Sequence, residues 1–485
     1  MKTLTVPPTT TPPHPARWTA LRILLLAAFM DLVDATVVNV ALPSIGAQLV
    51  TSTSMLRWMV AGYTLALGIG LVTGGRLGDL RGRRPMFLLG VAAFTLSSLM
   101  AGLAPSGAVL VLSRVLQGAS AALMIPQILA LVHDLFPAEE RPAAFGLYGA
   151  VTGLAAVCGP ILGGFLSEHS VFGLGWRSIF LINVPVGVVA FELARRRLPR
   201  TEVRRRRSLD PVGMTLLTLT LLCLLLPLIE GQHRGWPAWA WALLLAVVPG
   251  AAWFLRHERR QERAGADPLL PLSLFGQRAF SAGVAASLAF FAALGAFFLT
   301  ITITLQSGAG LEPMRAGMAL APFSIATAIG SATSVALSRR HGRRVLQAGA
   351  VILACGLLAL IAFFHTAWPA ITVVRLIVPL AICGFGMGLV VAPMADVVMS
   401  GVHRRDAGAA SGVLNAVYHV GMSTGVAVVG AIYFTAIGSR TGYLGAFERA
   451  TIAEVALVLI SALVMLGLPS SMVRSTGGAR LMEAA

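Results

Sequence analysis

Two carboxylates stand three residues apart in an otherwise apolar run, Met30-Asp31-Leu32-Val33-Asp34-Ala35-Thr36-Val37-Val38-Asn39. On a helix that spacing puts them on one face. Asp31 lies roughly 14 Å, and Asp34 roughly 18 Å, from the basic flank at Arg22. Both are then near the middle of a ~30 Å hydrocarbon layer. A charge there must face a cavity or a partner, or be neutralised by a proton. Burial and a neighbouring carboxylate both favour the neutral acid. Proton coupling is therefore the chemistry expected of Asp34 and Asp31. The plainer reading is that they only pair with a neighbouring span to fix packing.

A third charge sits in Arg114-Val115-Leu116-Gln117-Gly118. Counted inward from the outer helix ends, Arg114 and Asp34 reach similar depths, roughly 10 and 12 Å. Equal depth permits an ion pair, whose guanidinium would oppose burial and tune the proton site. Otherwise Arg114 snorkels outward or acts as a static clamp. Candidates for a substrate cavity are Asn39, Gln117, Asn415, His419 and Phe297. Asn415 and His419 form an i,i+4 pair, with His419 roughly 16 Å deep. A midplane histidine can titrate or touch substrate, or simply bond a neighbouring helix. Phe297, with Phe290, Phe291 and Phe298, would line a pocket for flat apolar molecules unless the cluster is core packing or faces lipid.

Two further segments read as mechanical. Gly75-Arg76-Leu77-Gly78-Asp79-Leu80-Arg81-Gly82-Arg83-Arg84 is a short basic turn between apolar runs. Its glycines Gly75, Gly78 and Gly82 let helix ends approach closely. Asp79 can accept the N-terminal amides of a nearby helix, and Arg83 and Arg84 can pair with carboxylates across the half-domain. That would be a latch that holds one conformation and breaks in another. The plainer reading is an ordinary basic turn. In Gly159-Pro160-Ile161-Leu162-Gly163-Gly164 the proline removes a helix donor and kinks the span, while Gly159, Gly163 and Gly164 give a flat crossing face.

Composition dictates the elements that carry these residues. Of the residues, 56% are hydrophobic and 12% charged, and mean hydropathy is +0.81. A soluble protein carries about 25% charge, so a soluble fold, a disordered chain and a disulfide scaffold are excluded. The expected fold is all-α and polytopic. Fourteen spans are expected, near 20–43, 55–77, 86–104, 107–132, 142–166, 176–195, 211–230, 236–256, 279–303, 314–337, 345–365, 368–393, 408–435 and 450–470.

Lys+Arg number 37 against 20 Asp+Glu, a net charge of +17. With a cytoplasmic N-terminus, 29 of the 37 fall on the inside and six in outer loops, as the positive-inside rule requires. This collar faces anionic lipid rather than nucleic acid. The Thr/Pro-rich residues 1–19 read as a disordered cytoplasmic tail, with no signal peptide, and 471–485 as a second cytoplasmic tail.

The basic stretch 196–210 separates a six-helix bundle at 20–195 from two inserted helices at 211–256. A linker at 257–278 and a second six-helix bundle at 279–470 follow. Leu77–Arg84 recurs 260 residues later as Leu337–Arg344, identical at four of eight positions. Such repeats, related by an axis along the membrane normal, build one class of transporter. In the second copy Arg339 replaces Asp79, so a matching latch is not expected there. The four cysteines lie in apolar runs without zinc spacing. No Walker-type loop, HExxH or nucleophile elbow is present. Neither enzyme activity, a metal nor a cofactor is expected.

These motifs together resemble the major facilitator superfamily, in particular its fourteen-span drug:proton antiporter branch of the EmrB/QacA kind. Asp34 to Pro43 is similar to that branch's first-span signature, and Gly75 to Arg84 to the superfamily loop motif. Arg114 with Gln117-Gly118 is similar to the fourth-span motif, and Gly159-Pro160 with Gly163-Gly164 to the antiporter motif of span five. Trp176-Arg177-Ser178-Ile179-Phe180-Leu181-Ile182-Asn183-Val184-Pro185 resembles the usual start of span six. Asp31 is a departure, since the general signature does not require it.

The resemblance implies alternating access around a central cavity, with proton import driving export of amphiphilic drugs or antibiotics. It places a monomer in a bacterial plasma membrane, both termini cytoplasmic, powered by the proton-motive force. A lipid or lipid-linked metabolite flippase, an uptake symporter and a non-transporting sensor are the alternatives.

Overall fold

The computed structural model describes residues 15–468 except 138, 169–172, 200–209, 232–233, 267, 369–370, 401, 404–405 and 438–441. Both tails and most of the 196–210 linker lie outside the described residues, as do the side chains of Asn39, Pro160, Gly164 and Arg339.

Every regular element among the described residues is helical. Hydrocarbon offers backbone amides no partner, so each segment must satisfy its own hydrogen bonds. In chain order the helices are α1 (Arg17–Leu49), α2 (Thr53–Arg81), α3 (Arg83–Gly102), α4 (Gly107–Leu135), α5 (Arg141–Glu168), α6 (Ser178–Leu181), α7 (Asn183–Arg197) and α8 (Pro211–Glu230). Then follow α9 (Ala238–Arg263), α10 (Arg278–Ile303), α11 (Pro313–Ala319), α12 (Ala321–His341), α13 (Arg344–Ala367), α14 (Val373–Ser400), α15 (Ala407–Ile437) and α16 (Gly442–Val464). Side chains cap the starts that reach polar surroundings. Ser52, Ser106 and Asp210 accept from Met55 N (3.3 Å), Val109 N (3.4 Å) and Gly213 N (2.9 Å).

Among the described residues, twelve helical spans rather than the expected fourteen are long and apolar enough to cross a membrane. α1, with Arg22, Asp31 and Asp34 in its apolar stretch, and α5 are not among the twelve, although they are 33 and 28 residues long. Several boundaries differ from the hydropathy reading. The sixth span is a short 3₁₀ turn at Gly175–Arg177 followed by α6 and α7, broken at Ile182. The tenth breaks at Leu320 into α11 and α12. The twelfth runs 373–400 rather than 368–393, because Trp368 ends α13 in an extended conformation. The last starts at Gly442 rather than 450, its polar first turns offset by a contact of His365 with Glu448 (3.2 Å). The second inserted helix continues through Arg263, past the expected 256.

Helices α1–α7 pack on one another, and so do α10–α16. α8 and α9 pair together, with α8 leaning on α2 and α15 where the two groups meet. The echo at offset 260 has a geometric counterpart. Gly82 (φ 96°) ends α2 and Gly342 (φ 54°) ends α12, in a region that favours glycine. Each donates its amide four residues back, to Gly78 O (2.9 Å) and Ser338 O (3.0 Å). Outside the spans, Arg17 forks onto Glu140 (2.6 and 2.8 Å), and these bonds hold the Glu140 carboxyl below its ordinary value.

Close backbone crossings fix the bundle. A Cβ on Gly74 of α2 would stand 2.0 Å from Ala122 O of α4. Gly74→Val should therefore cost about 1–3 kcal/mol by overpacking, visible as a lower Tm in detergent. Gly276→Ala, with nothing within 4 Å, should leave Tm unchanged.

Candidate functional site

Asp34 is fully buried (0% exposed), and four side chains converge on it or its partner. Arg114 of α4 forms an ion pair with Asp34 Oδ2. Asn183 Nδ2 donates to Asp34 Oδ1 at 2.7 Å, and Gln117 Nε2 to the same oxygen at 3.2 Å. Gln117 also accepts from Arg114 Nη1 (2.8 Å) and donates to Ser98 Oγ of α3 (2.7 Å). Arg114 Nε donates to Met59 O (3.0 Å), and the guanidinium lies 4.3 Å over the Tyr63 ring. The depth arithmetic thus meets an actual ion pair.

Asp31 is bound more sparsely. Its Oδ1 accepts from Tyr63 OH at 2.6 Å. Tyr63 of α2 therefore touches both charge sites, hydroxyl on Asp31 and ring under Arg114. Sequence reasoning missed Tyr63, Asn183 and Ser98 as partners. Asn183 carried a signal, a lone amide in Phe180-Leu181-Ile182-Asn183-Val184-Pro185, and it starts α7 at the break. α5 crosses α1 directly beside the pair. A Cβ on Gly159 would stand 1.8 Å from Thr36 Oγ1 and 3.2 Å from Val33 O. Gly163 is buried on the same helix, while the side-chain positions of Pro160 and Gly164 lie outside the described residues.

The last turns of α2, helical through Arg81 where a basic turn was expected, join the two helical groups. Asp79 Oδ1 accepts from Gly408 N and Oδ2 from Ala409 N, both at 2.9 Å. α15 begins at Ala407, so these are first-turn amides with no intrahelical partner, at the positive end of the helix. Glycines make the approach feasible. A Cβ on Gly75 would lie 2.1 Å from Gly408 O, and one on Gly78 would lie 1.9 Å from Gln127 Oε1.

Arg83 pairs with carboxylates across its half-domain, Asp79 (3.3 Å) and Asp134 of α4, and also donates to Ala130 O (2.7 Å). Arg84 departs from the expectation and donates to the carbonyl of Arg195. Asp79 makes a polar link to α15 because it faces free helix amides.

The expected cavity residues divide. Gln117 belongs to the buried charge cluster. Asn415 turns back to Ser411 O on its own helix (2.9 Å). Phe297 is buried and stacked on Phe323 at 5.3 Å, so it is core packing. His419 is partly exposed beside Gly68. Asn39 lies outside the described side chains. The Tyr418 ring stacks on Phe291 at 3.9 Å.

One group among the described residues has metal-ligand geometry. Asp210, His257 and Glu258 bring ligand atoms within 4.8 Å of one another. They hold protein groups here: His257 Nε2 meets both Asp210 oxygens at 2.9 Å, and Glu258 accepts from Leu270 N at 2.9 Å. The cluster clasps α8 to α9 and to the segment leading into α10.

A multi-span helical protein with a buried carboxylate–guanidinium pair in one half and a carboxylate fastening to the other has the build of a membrane transporter. Residues 24–426 match the family model of the Major Facilitator Superfamily, and the chain belongs to that family. It is 42% identical over 430 residues to a "probable actinorhodin transporter" of Streptomyces coelicolor, covering 88% of this chain and 74% of that one. It is 34% identical to a tetracenomycin C resistance and export protein of Streptomyces glaucescens (87% and 77% covered). It is 35% identical to a puromycin resistance protein of Streptomyces alboniger (89% and 84%). In fold it is similar to the human organic anion transporter MFSD10, with TM-score 0.65, 16% identity, and 93% of this chain and 100% of that one covered.

Removing one member of a buried pair strands the other charge. Arg114→Gln should cost about 3–5 kcal/mol, read as a fall in Tm, and adding Asp34→Asn should recover most of it. A double variant as unstable as the single one would show that the charge pair is not what stabilises this site.

Proposed function

We propose that this protein exports amphiphilic small molecules from a bacterial cell in exchange for protons. The observation that carries the reading is the Asp34 site: a buried carboxylate held by one cation and two amides, one turn from Asp31 and its single hydroxyl. Relatives named as antibiotic export and resistance proteins support the direction of transport.

On this reading fourteen helices cross the plasma membrane, α1 and α5 joining the twelve. Both termini and the arginine-rich turns face the cytoplasm. The halves α1–α7 and α10–α16 rock against each other, with α8–α9 an insertion between them. The chain works as a monomer among anionic lipids and uses the proton-motive force without a cofactor.

With Asp79 holding α15, the cytoplasmic ends are together and the space between the halves opens outward. A proton arriving on Asp34 or Asp31 removes the charge that holds Arg114 or an ionic substrate. Substrate leaves, Asp79 releases Gly408 and Ala409, and the halves rock. The proton then passes inward, and the restored carboxylates favour the next amphiphile, with cations preferred. A membrane potential supplies about 2.3 kcal/mol per charge per 100 mV. At 1.4 kcal/mol per tenfold, one or two protons sustain a gradient of tenfold to several hundredfold.

The test uses cells and inverted vesicles. A susceptibility panel on cells with and without the protein selects a substrate. Adding that compound to inverted vesicles should drive proton release, and Asp34→Asn should abolish it. Full proton-coupled efflux by the variant would overturn the assignment. Uptake with inward protons would indicate symport, and lipid translocation without drug-driven proton movement would indicate a flippase.

A further inference from the structure

The second helical half contains an acid that the mechanism above does not use. Glu454 stands twelve residues into α16, about 18 Å from its outer end, and is fully buried (0% exposed). Thr300 Oγ1 of α10 donates to its Oε1 at 2.9 Å. Its Oε2 is buried with no hydrogen-bond partner. Thr451, one turn earlier on the same helix, also has a buried hydroxyl without a partner. Among the described residues no charged side chain acts on Glu454, and the titratable group that senses it is the Cys383 thiol of α14.

Ionised, this carboxyl is an uncompensated charge at mid-membrane, which is expensive. Neutral, it can donate from Oε1 to Thr300 Oγ1 at 2.9 Å, whose own hydrogen then turns to Phe297 O at 3.2 Å. The partners on hand therefore meet the neutral acid more fully than the carboxylate.

Buried hydroxyls stand between it and the far end of α10. Thr300 and Thr304 are four residues apart, on one face of the helix. Thr304 Oγ1 and Tyr433 OH are 2.7 Å apart, and either can donate. At Thr304–Gly308 the α10 backbone opens into a π turn, a deviation that recurs at functional sites. Trp368 and Tyr443 cover that turn, within 2.8 and 3.0 Å of where a Gly308 Cβ would be.

We propose that Glu454 is a second proton-binding site, in the half opposite Asp34, filled from the outer face through the hydroxyls of Tyr433, Thr304 and Thr300. A proton from outer water is handed along these hydroxyls to the Glu454 carboxylate, giving the neutral acid. The acid returns that proton when the halves have rocked. The site takes its sidedness from the transport reading above.

The test is carbodiimide labelling, because that reagent adds to a protonated carboxyl in an apolar site and needs no substrate. Right-side-out vesicles holding the full chain are treated with dicyclohexylcarbodiimide at fixed internal pH. External pH is varied from about 6 to about 9, and Glu454 modification is followed by mass spectrometry. Labelling should fall as external pH rises. Thr300→Val removes the hydroxyl that meets Glu454 directly, so its labelling should follow external pH less steeply than in the unsubstituted protein. Thr304→Val should weaken the dependence on external pH. Labelling that ignores external pH in the unsubstituted protein, or none at any pH, would overturn the proposal. An Asp34→Asn variant that still exports with protons would sink the transport reading while leaving the Glu454 labelling result standing, so the two failures are separable.

Discussion

A charge in hydrocarbon must carry its solvation with it, and the Arg114–Asp34 pair satisfies that demand with protein groups alone. Met59 O, Gln117 and the Tyr63 ring surround the guanidinium. Asn183 and Gln117 fill the second carboxylate oxygen. Five helices, α1, α2, α3, α4 and α7, are thereby tied at one point. Asp31, three residues earlier, has a single hydroxyl. The same spacing on the same helix thus gives one acid that is locked and one that is loosely held.

Glycine lines both crossings between the two halves. Gly75, Gly408 and Gly412 bring α2 and α15 to near backbone contact, while Gly146, Gly149 and Gly153 of α5 receive the side chains of Val335, Ser331 and Thr327 of α12. The polar element at the α2–α15 crossing, Asp79 on two helix amides, is charge-assisted yet confined to one carboxylate. Ser411 Oγ of α15 adds a bond to Pro126 O of α4 at 2.8 Å. Short polar fastenings on glycine-rich faces suit an interface that must both hold and part.

The acids, Arg114 and the latch aspartate were legible because charge is rare in apolar runs and helix rise converts position into depth. Their neutral partners were not. Tyr63, Ser98 and Asn183 are polar residues among many, and helix rotation, which decides which of them face Asp34, is set by packing that no window of hydropathy contains. The same limit misplaced Phe297: an aromatic cluster reads alike whether it lines a pocket or stacks on Phe323. Breaks at Ile182 and Leu320 interrupt no apolar run, so the pattern passed over them. The expected start of α16 came late because Glu448 and Arg449 depress local hydropathy in its first turns.

Helix α2 connects the charge sites to the latch. Tyr63, which binds Asp31 and underlies Arg114, and Asp79, which holds α15, are sixteen residues apart on it, about 24 Å along its axis. α2 is also pinned against α4 at Gly70 and Gly74, where Ala122 leaves no room for a side chain. On the proton-coupled reading proposed above, a helix held between these two points passes a change at Tyr63 to Asp79 as a tilt. Loss of the Asp31 charge would weaken the hydrogen bond that positions Tyr63, and the displacement would appear where Gly75 meets Gly408. Such coupling needs no long chain of side chains, only one stiff rod with a carboxylate fastening at each of two points.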